Sequence, residues 1–439
     1  MKKLFLIGII LGSYLLFAQE ESPEDFFKIS QEQIQKYSTA ELMDLDSFQD
    51  KEALDFLDFF SEEIKKNPKE YLFLNPLSQL SVLQLTTLVQ FNGGYLFLNG
   101  LQKIDESTAK MLAQFNGGYL SLNGLRTIDE ASAKTLSQFK GYYISLNGLQ
   151  TIDENTAKAL VQFRNDWDDY SKNLEKQGIF FIGKQGLSLN GLEQINEATA
   201  KILVQFKGWD LSLGSKQLDK ATSEALVRFK GHRLYLNLQK IDESTAKTLS
   251  QFKGDYLYLN LNVQEIDEET AKALSQLKVA YISLELKQID EATAKTIAQI
   301  MCCFLSLNGL QKIDEVTAKA LSQFRGRHLF LELHELDEIT ATALAQFHGS
   351  MIYLKGLERI DEATAKALAQ FKGEDLSLNG VQQIDEAVAK ALSQVQAWNL
   401  YLNGLQQIDE STAKILAQLK RSIYTNREIE EQIQKYKKK

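Results

Sequence analysis

The chain has 439 residues, 44% hydrophobic and 24% charged, with a formal net charge of −9. An acidic chain of this make-up is poorly suited to nucleic acid or to anionic membrane surfaces. Its only cysteines, Cys302 and Cys303, are adjacent; a bond between neighbours is strained, so they read as free thiols and no disulfide framework exists.

Lys2-Lys3, the apolar run Leu4 to Phe17 and Ala18-Gln19 have the form of a secretory signal peptide over residues 1–18, too short and wrongly flanked for a spanning helix. Its removal takes two lysines and no acid, leaving a formal charge of −11. No other stretch approaches the roughly 20 apolar residues of a membrane span. The expectation is an exported protein, periplasmic, cell-surface or extracellular, with no membrane insertion after cleavage.

Residues 19–70 lack the repeated pattern of the rest of the chain. Ser22-Pro23-Glu24-Asp25 opens one helix-like segment, and Lys51 to Lys66 groups Leu54, Phe56, Leu57, Phe59, Phe60 and Ile64. They are expected to form a helical N-terminal cap, because stacked repeats need their terminal cores covered.

From residue 71 to 419 one unit recurs fourteen times, with Leu-x-Leu starts at Leu72, Leu96, Leu120, Ile144, Leu187, Leu211, Leu234, Leu257, Ile282, Leu305, Leu329, Ile352, Leu376 and Leu400. Spacings are 23 to 25 residues, except for 43 between Ile144 and Leu187. That gap holds an insertion at 164–184, with Trp167 and Tyr170 as candidate contacts beside Phe180 and Phe181. Residues 420–439 read as a final polar helix.

Each unit changes period once. Leu-x-Leu alternates as a strand does; after Ile-Asp, apolar residues return at helical spacing, as in Ile104, Ala109, Leu112 and Phe115. Asp at the junction (Asp105, Asp129, Asp153 and equivalents, with Asn196 and Ser81 in two units) is a helix N-cap, and the following Glu suits the positive end of the helix dipole. Calcium would need several oxygens on one ion, whereas each Asp has a local capping duty. Most units continue Asn-Gly-Leu, but some drop the Gly, as in Leu234-Tyr235-Leu236-Asn237-Leu238. The Gly therefore reads as an extra residue, a bulge or tight bend, and the Asn before it should point outward.

One strand and one helix per 24 residues give a parallel sheet on one side and helices on the other, an α/β solenoid of about fourteen units. On these motifs the chain resembles the leucine-rich-repeat family. The Ala-rich Thr-Ala-Lys-Ala-Leu-Ala-Gln at 364–370 is similar to the helices of bacterial GALA-type and ribonuclease-inhibitor-like repeats. The resemblance implies a curved solenoid that binds proteins or other ligands with its concave sheet face. It departs from the family where the usual backbone-bonding Asn is replaced by Leu101 or Leu125, with an Asn two places earlier.

The residue between the two Leu of each strand should face outward. It is always Ser or aromatic and never charged: Phe73, Phe97, Ser121, Ser145, Ser188, Ser212, Tyr235, Tyr258, Ser283, Ser306, Phe330, Tyr353, Ser377 and Tyr401. The next outward column is rich in Asn, including Asn99, Asn123, Asn237 and Asn260, and Tyr95, Tyr119, Tyr143, Tyr256 and Tyr281 precede the strands. Tyr, Ser and Asn together make adaptable recognition surfaces. The histidines His232, His328, His334 and His348 have no ordered nucleophile or ligand set beside them, and no phosphate loop, zinc motif or nucleophile elbow occurs. The expectation is a non-enzymatic binding module for a protein, peptide or glycan, with no cofactor or metal. The alternative is a structural or adhesive surface protein whose repeats mainly give length.

Overall fold

The computed structural model describes residues 71–73, 80, 82–89, 94–163 and 185–437. The signal peptide, the helical cap and the 164–184 insertion with Trp167 and Tyr170 lie outside the described residues, as do the Ser81 cap and the side chain of Phe73. The chain divides into two compact units that part at Ser145/Leu146.

In the first unit, strands β1 (Tyr71–Phe73), β2 (Tyr95–Phe97), β3 (Tyr119–Ser121) and β4 (Tyr143–Ser145) pair in parallel, each with the next. They alternate with helices α1 (Val82–Leu88), α2 (Glu106–Leu112) and α3 (Glu130–Leu136). The second unit begins with α4 (Glu154–Leu160) and continues with β5 (Gly186–Leu189), β6 (Asp210–Ser215), β7 (Arg233–Leu238), β8 (Tyr256–Leu261), β9 (Tyr281–Leu284) and β10 (Phe304–Leu307). Then come β11 (His328–Leu331), β12 (Met351–Leu354), β13 (Asp375–Ser377), β14 (Asn399–Leu402) and β15 (Ser422–Thr425). Ten helices, α5 (Glu197–Leu203) to α14 (Glu410–Ala417), alternate with these strands, and α15 (Arg427–Gln434) ends the order. Both units are α/β repeat solenoids, the fold class read from the sequence. Among the described residues no helix is long and apolar enough to cross a membrane.

The repeat consensus explains each layer. Leu96 and Leu98 point inward from one strand, Ala109 and Leu112 from the helix that follows, and all four are fully or almost fully buried. Burying a Leu side chain contributes roughly 2 kcal/mol, once per position per repeat. Phe115 and Phe139 stack between consecutive repeats of the first unit with centroids 6.1 Å apart, and Phe324, Phe347 and Phe371 stack likewise, repeat on repeat, within the second. The junction Asp caps as expected: Asp105 accepts from the Thr108 N–H at 2.7 Å, and Asn196 accepts from Thr199 at 2.8 Å. These N–H groups hold the Asp105, Asp153, Asp219 and Asp361 carboxyls below the usual carboxylate range. The first-turn Glu pairs one turn on, as Glu197 does with Lys201 at 2.6 Å.

One expectation is corrected. The C-terminal segment is not one polar helix: Ser422-Ile423-Tyr424-Thr425 forms β15 on β14, and only then does α15 bury Ile429 and Ile433. Alternating Ile and Thr beside a Tyr favour a pleated edge over a helix, so the chain ends in a short fifteenth repeat. The Asn-Gly step is the expected tight bend, the Leu125 N–H donating to the Leu122 carbonyl at 3.1 Å across Asn123-Gly124, and close packing requires its glycine. A Cβ added at Gly124 would lie 2.0 Å from the Asn99 carbonyl oxygen, and one at Gly191 would lie 1.8 Å from that of Asn147. Adjacent repeats touch there backbone to backbone. In β7 and β8 the Gly is missing, and both strands run on to six residues, ending at buried Leu238 and Leu261.

Candidate functional site on the sheet face

The Leu side of the sheet is covered by helices, so the other side carries the accessible chemistry. Parallel register places the side chains of neighbouring strands in rows about 4.8 Å apart.

Across much of this face the Ser and Asn columns satisfy each other. Ser121 Oγ donates to Asn99 Oδ1 at 2.7 Å, and the Asn123 N–H donates to the same oxygen at 2.9 Å. Ser145 bonds Asn123 in the same way, Ser188 bonds Asn147 and Ser212 bonds Asn190. The Asn two places before the family position thus does bond the neighbouring backbone, from the sheet face, where it was expected to point. These serines are fully or almost fully buried. Here the recognition columns form an internal ladder.

Aromatics interrupt the ladder. In the first unit Tyr119 stacks on Tyr143 at 5.1 Å, and Tyr95 and Phe97 lean on Tyr119. Phe97 is only 3% exposed and Tyr235 in the second unit only 7%. Neither is the open contact residue expected from strand alternation: the Phe97 ring leans on Tyr119 in the adjoining row, and Tyr235 stacks on Tyr258 along its own. Tyr258, Phe330, Tyr353 and Tyr401 are half-buried, as are Asn99, Asn123, Asn237 and Asn260.

A second correction concerns the columns. Alignment by Leu-x-Leu puts Tyr258 beside Ser283, but Tyr258 lies opposite Tyr281, and Ser283 lies opposite Asn260. The 25-residue spacing from Leu257 to Ile282 is absorbed as a two-residue register offset, and an even offset keeps every side chain on its own face. One row therefore runs Tyr235, Tyr258, Tyr281, Phe304, His328, Met351, Asp375, Asn399. The next runs Asn237, Asn260, Ser283, Ser306, Phe330, Tyr353, Ser377, Tyr401, Tyr424.

The densest departure from the repeat lies on β6, β7 and β8. Arg233 Nε donates to Asp210 Oδ1 at 2.7 Å, with the Asp210 side chain 2% exposed. Tyr235 and Tyr258 stack at 4.3 Å beside this pair. Trp209 stacks on His232 at 3.5 Å, and His232 Nδ1 contacts Asp255 Oδ2. Burial, and behind it the Asp210 charge, push the Tyr258 hydroxyl above its ordinary range. The neighbouring amides of Asn237 and Asn260 make no side-chain hydrogen bond among the described residues, because Tyr stands where the ladder would supply a Ser. The sequence reading missed Trp209, Asp210, Arg233 and Asp255. A signal was present: Asp210 and Arg233 take successive copies of a position that is Tyr in Tyr95, Tyr119 and Tyr143.

Cys302 is buried and Cys303 exposed, both free. Burial pushes the Cys302 thiol up, out of the reactive range.

No protein-family model matches the sequence, and no curated protein matches it. Among solved structures similar to this chain is the yeast Rad7 and Elc1 complex, 15% identical, covering 91% of each chain at a TM-score of 0.41. A leucine-rich-repeat protein of Leptospira interrogans is 16% identical, with 82% of this chain and 97% of that chain covered and a TM-score of 0.33. The TLR13–ssRNA13 complex is 14% identical over 83% of this chain and 55% of that one, at a TM-score of 0.40.

Proposed function

We propose that this chain is an exported, non-enzymatic binding module that holds a protein, peptide or glycan on the sheet face of its second unit. The observation that carries this reading is the break in the Ser–Asn ladder at Tyr235 and Tyr258. A stacked pair of phenols at 4.3 Å stands beside two adjacent amides, Asn237 and Asn260, with no internal partner. Rigid aromatic area next to free donors and acceptors is the composition of a recognition surface. The bonded Ser–Asn ladder of Ser121, Ser145, Ser188 and Ser212 favours a scaffold role for those strands, so the two readings divide the chain between them.

The test is affinity capture from native extract with the full chain against a Tyr258→Ser, Asn260→Ala variant. Partners are expected to be lost while the melting temperature stays within a few degrees. Retention of every captured partner by the variant refutes binding at this face.

A further inference from the structure

Charge is sorted along the repeat of the second unit. The acids Glu197, Glu243, Glu268 and Glu315 sit in the first turns of their helices. At the other end the chain turns from helix to strand, and there four consecutive repeats carry a cation, Lys207, Lys230, Lys253 and Lys278, each directly after Phe206, Phe229, Phe252 or Leu277. Met301 interrupts the column and Arg325 resumes it. All five cations are exposed. Among the described residues none of them pairs with a carboxylate, whereas Lys201 and Lys247 on the helices hold Glu197 and Glu243.

Helix polarity alone does not explain the column. A cation near a helix C-terminus offsets the negative end of the dipole. The helices before Lys207, Lys253, Lys278 and Arg325 already carry Lys201, Lys247, Lys272 and Lys319 in their last turns for that purpose. Nor do neighbouring acids neutralise the column. Asp210 is held by Arg233, Asp255 by His232, and Glu224 on its helix faces Lys220 at 3.9 Å. Glu374 and Asp375 come only after Lys372, beyond the column. Arg228 and Arg327, both exposed, add to the positive side. A chain of net negative charge therefore presents a strip of one positive sign.

The strip has a definite pitch. One residue before the column, Phe163 stacks on Phe206, Phe324 on Phe347 and Phe347 on Phe371 at 6.1 to 6.3 Å. Lys278 and Met301 form a parallel bridge, and bridged strands lie about 4.8 Å apart. Successive positions of the column therefore stand about 5–6 Å apart. An extended peptide rises about 3.3 Å per residue and turns every second side chain to the same side, at a spacing of ~6.6 Å. Duplex DNA has a phosphate every ~3.4 Å of each strand, about twice that density. A single strand favours rings on which its bases stack, but here the cation is followed by Gly208, Gly231, Gly254 or Gly326. We infer that this strip binds an extended acidic segment of a partner protein, with Asp or Glu at alternate positions and their carboxylates laid along Lys207, Lys230, Lys253, Lys278 and Arg325. The strip is separate from the sheet face and does not rest on the reading given there.

The probe is a fluorescein-labelled peptide of about twelve residues, alternating Glu and Ser. It is titrated into the full chain by anisotropy at low ionic strength, where exposed charges are least screened. It is expected to bind about tenfold tighter than the matching peptide of Gln and Ser. It should bind about threefold tighter than the same composition arranged as a Glu block and a Ser block, which turns half its carboxylates away. Lys230→Glu combined with Lys253→Glu should weaken binding about tenfold with no change in melting temperature, since both side chains are exposed. The same charge change at the exposed Lys103 and Lys110 of the first unit should cost less than about twofold. Equal binding of the Glu and Gln peptides, or equal loss from the two double variants, overturns the proposal. Tighter binding of an oligo-dT strand or of polygalacturonate than of the peptide also overturns it, in favour of a nucleic acid or an acidic glycan. The Tyr258→Ser, Asn260→Ala variant should hold the peptide as the parent does; loss of the peptide there would move the site to the sheet face and sink this one.

Discussion

Arg233 and Asp210 occupy the same position in consecutive repeats and meet at 2.7 Å, with the carboxylate 2% exposed and the guanidinium side chain 21% exposed. Nothing else on this face joins opposite charges at such burial among the described residues. Arg233→Met should destabilise the second unit by about 3 kcal/mol, because it strands a buried negative charge. The double variant Asp210→Asn, Arg233→Met should recover much of that loss. Urea unfolding of the three proteins measures both; a single variant as stable as the parent would show that the pair is not coupled.

The ladder makes its own prediction. Asn99→Ala removes the acceptor shared by Ser121 Oγ and the Asn123 N–H. The cost should be about 2 kcal/mol, the penalty of leaving buried donors unmet. Adding Ser121→Ala should return part of it. The reverse experiment is at Ser377. Its hydroxyl is buried without a hydrogen-bond partner, and the repeat before it carries Lys355 where Asn stands elsewhere. Lys355→Asn supplies the missing acceptor and should raise stability by about 1 kcal/mol. A drop in its thermal midpoint would argue that Lys355 supports the fold in another way.

Gly124→Ala tests the contact between repeats. The added Cβ would sit 2.0 Å from the Asn99 oxygen, closer than any non-bonded pair tolerates, so the strands must part. A loss of about 2 kcal/mol in chemical denaturation is expected. At Gly94, where a Cβ meets nothing within 4 Å, the same substitution should be close to neutral.

The capping carboxylates predict acid sensitivity. Folding lowers the pKa of Asp105, Asp153, Asp219, Asp267, Asp290, Asp314, Asp337, Asp361 and Asp409, chiefly through the N–H or hydroxyl of the residue three places on. A depressed folded pKa contributes stability above the unfolded value of about 3.9 and loses it as pH falls through the folded value. Stability should therefore be flat near neutrality and fall steeply below about pH 4, repeat after repeat. Helix α5, capped by Asn196, should contribute nothing to that slope; Asn196→Asp should steepen it. Asp361→Ala should cost about 1 kcal/mol at pH 7 and almost nothing at pH 2.

How far the sequence reached depends on the range of the interaction. Leu-x-Leu, the cap Asp and the Ala-rich helix each act within a strand or a turn, so their period determined the solenoid, the capping and the inward Leu face. Strand alternation also placed Asn99 and Asn123 on the sheet face. The tertiary structure decided what one repeat does to the next. It set the two-residue offset between β8 and β9 and joined Asp210 to Arg233. It covered Phe97 and Tyr235 with aromatic rings of the next strand, and it left Ser377 without the partner its equivalents have. Those outcomes depend on register between strands about two dozen residues apart, and register is fixed only when the loops close and the backbones pack at Gly124 and its equivalents.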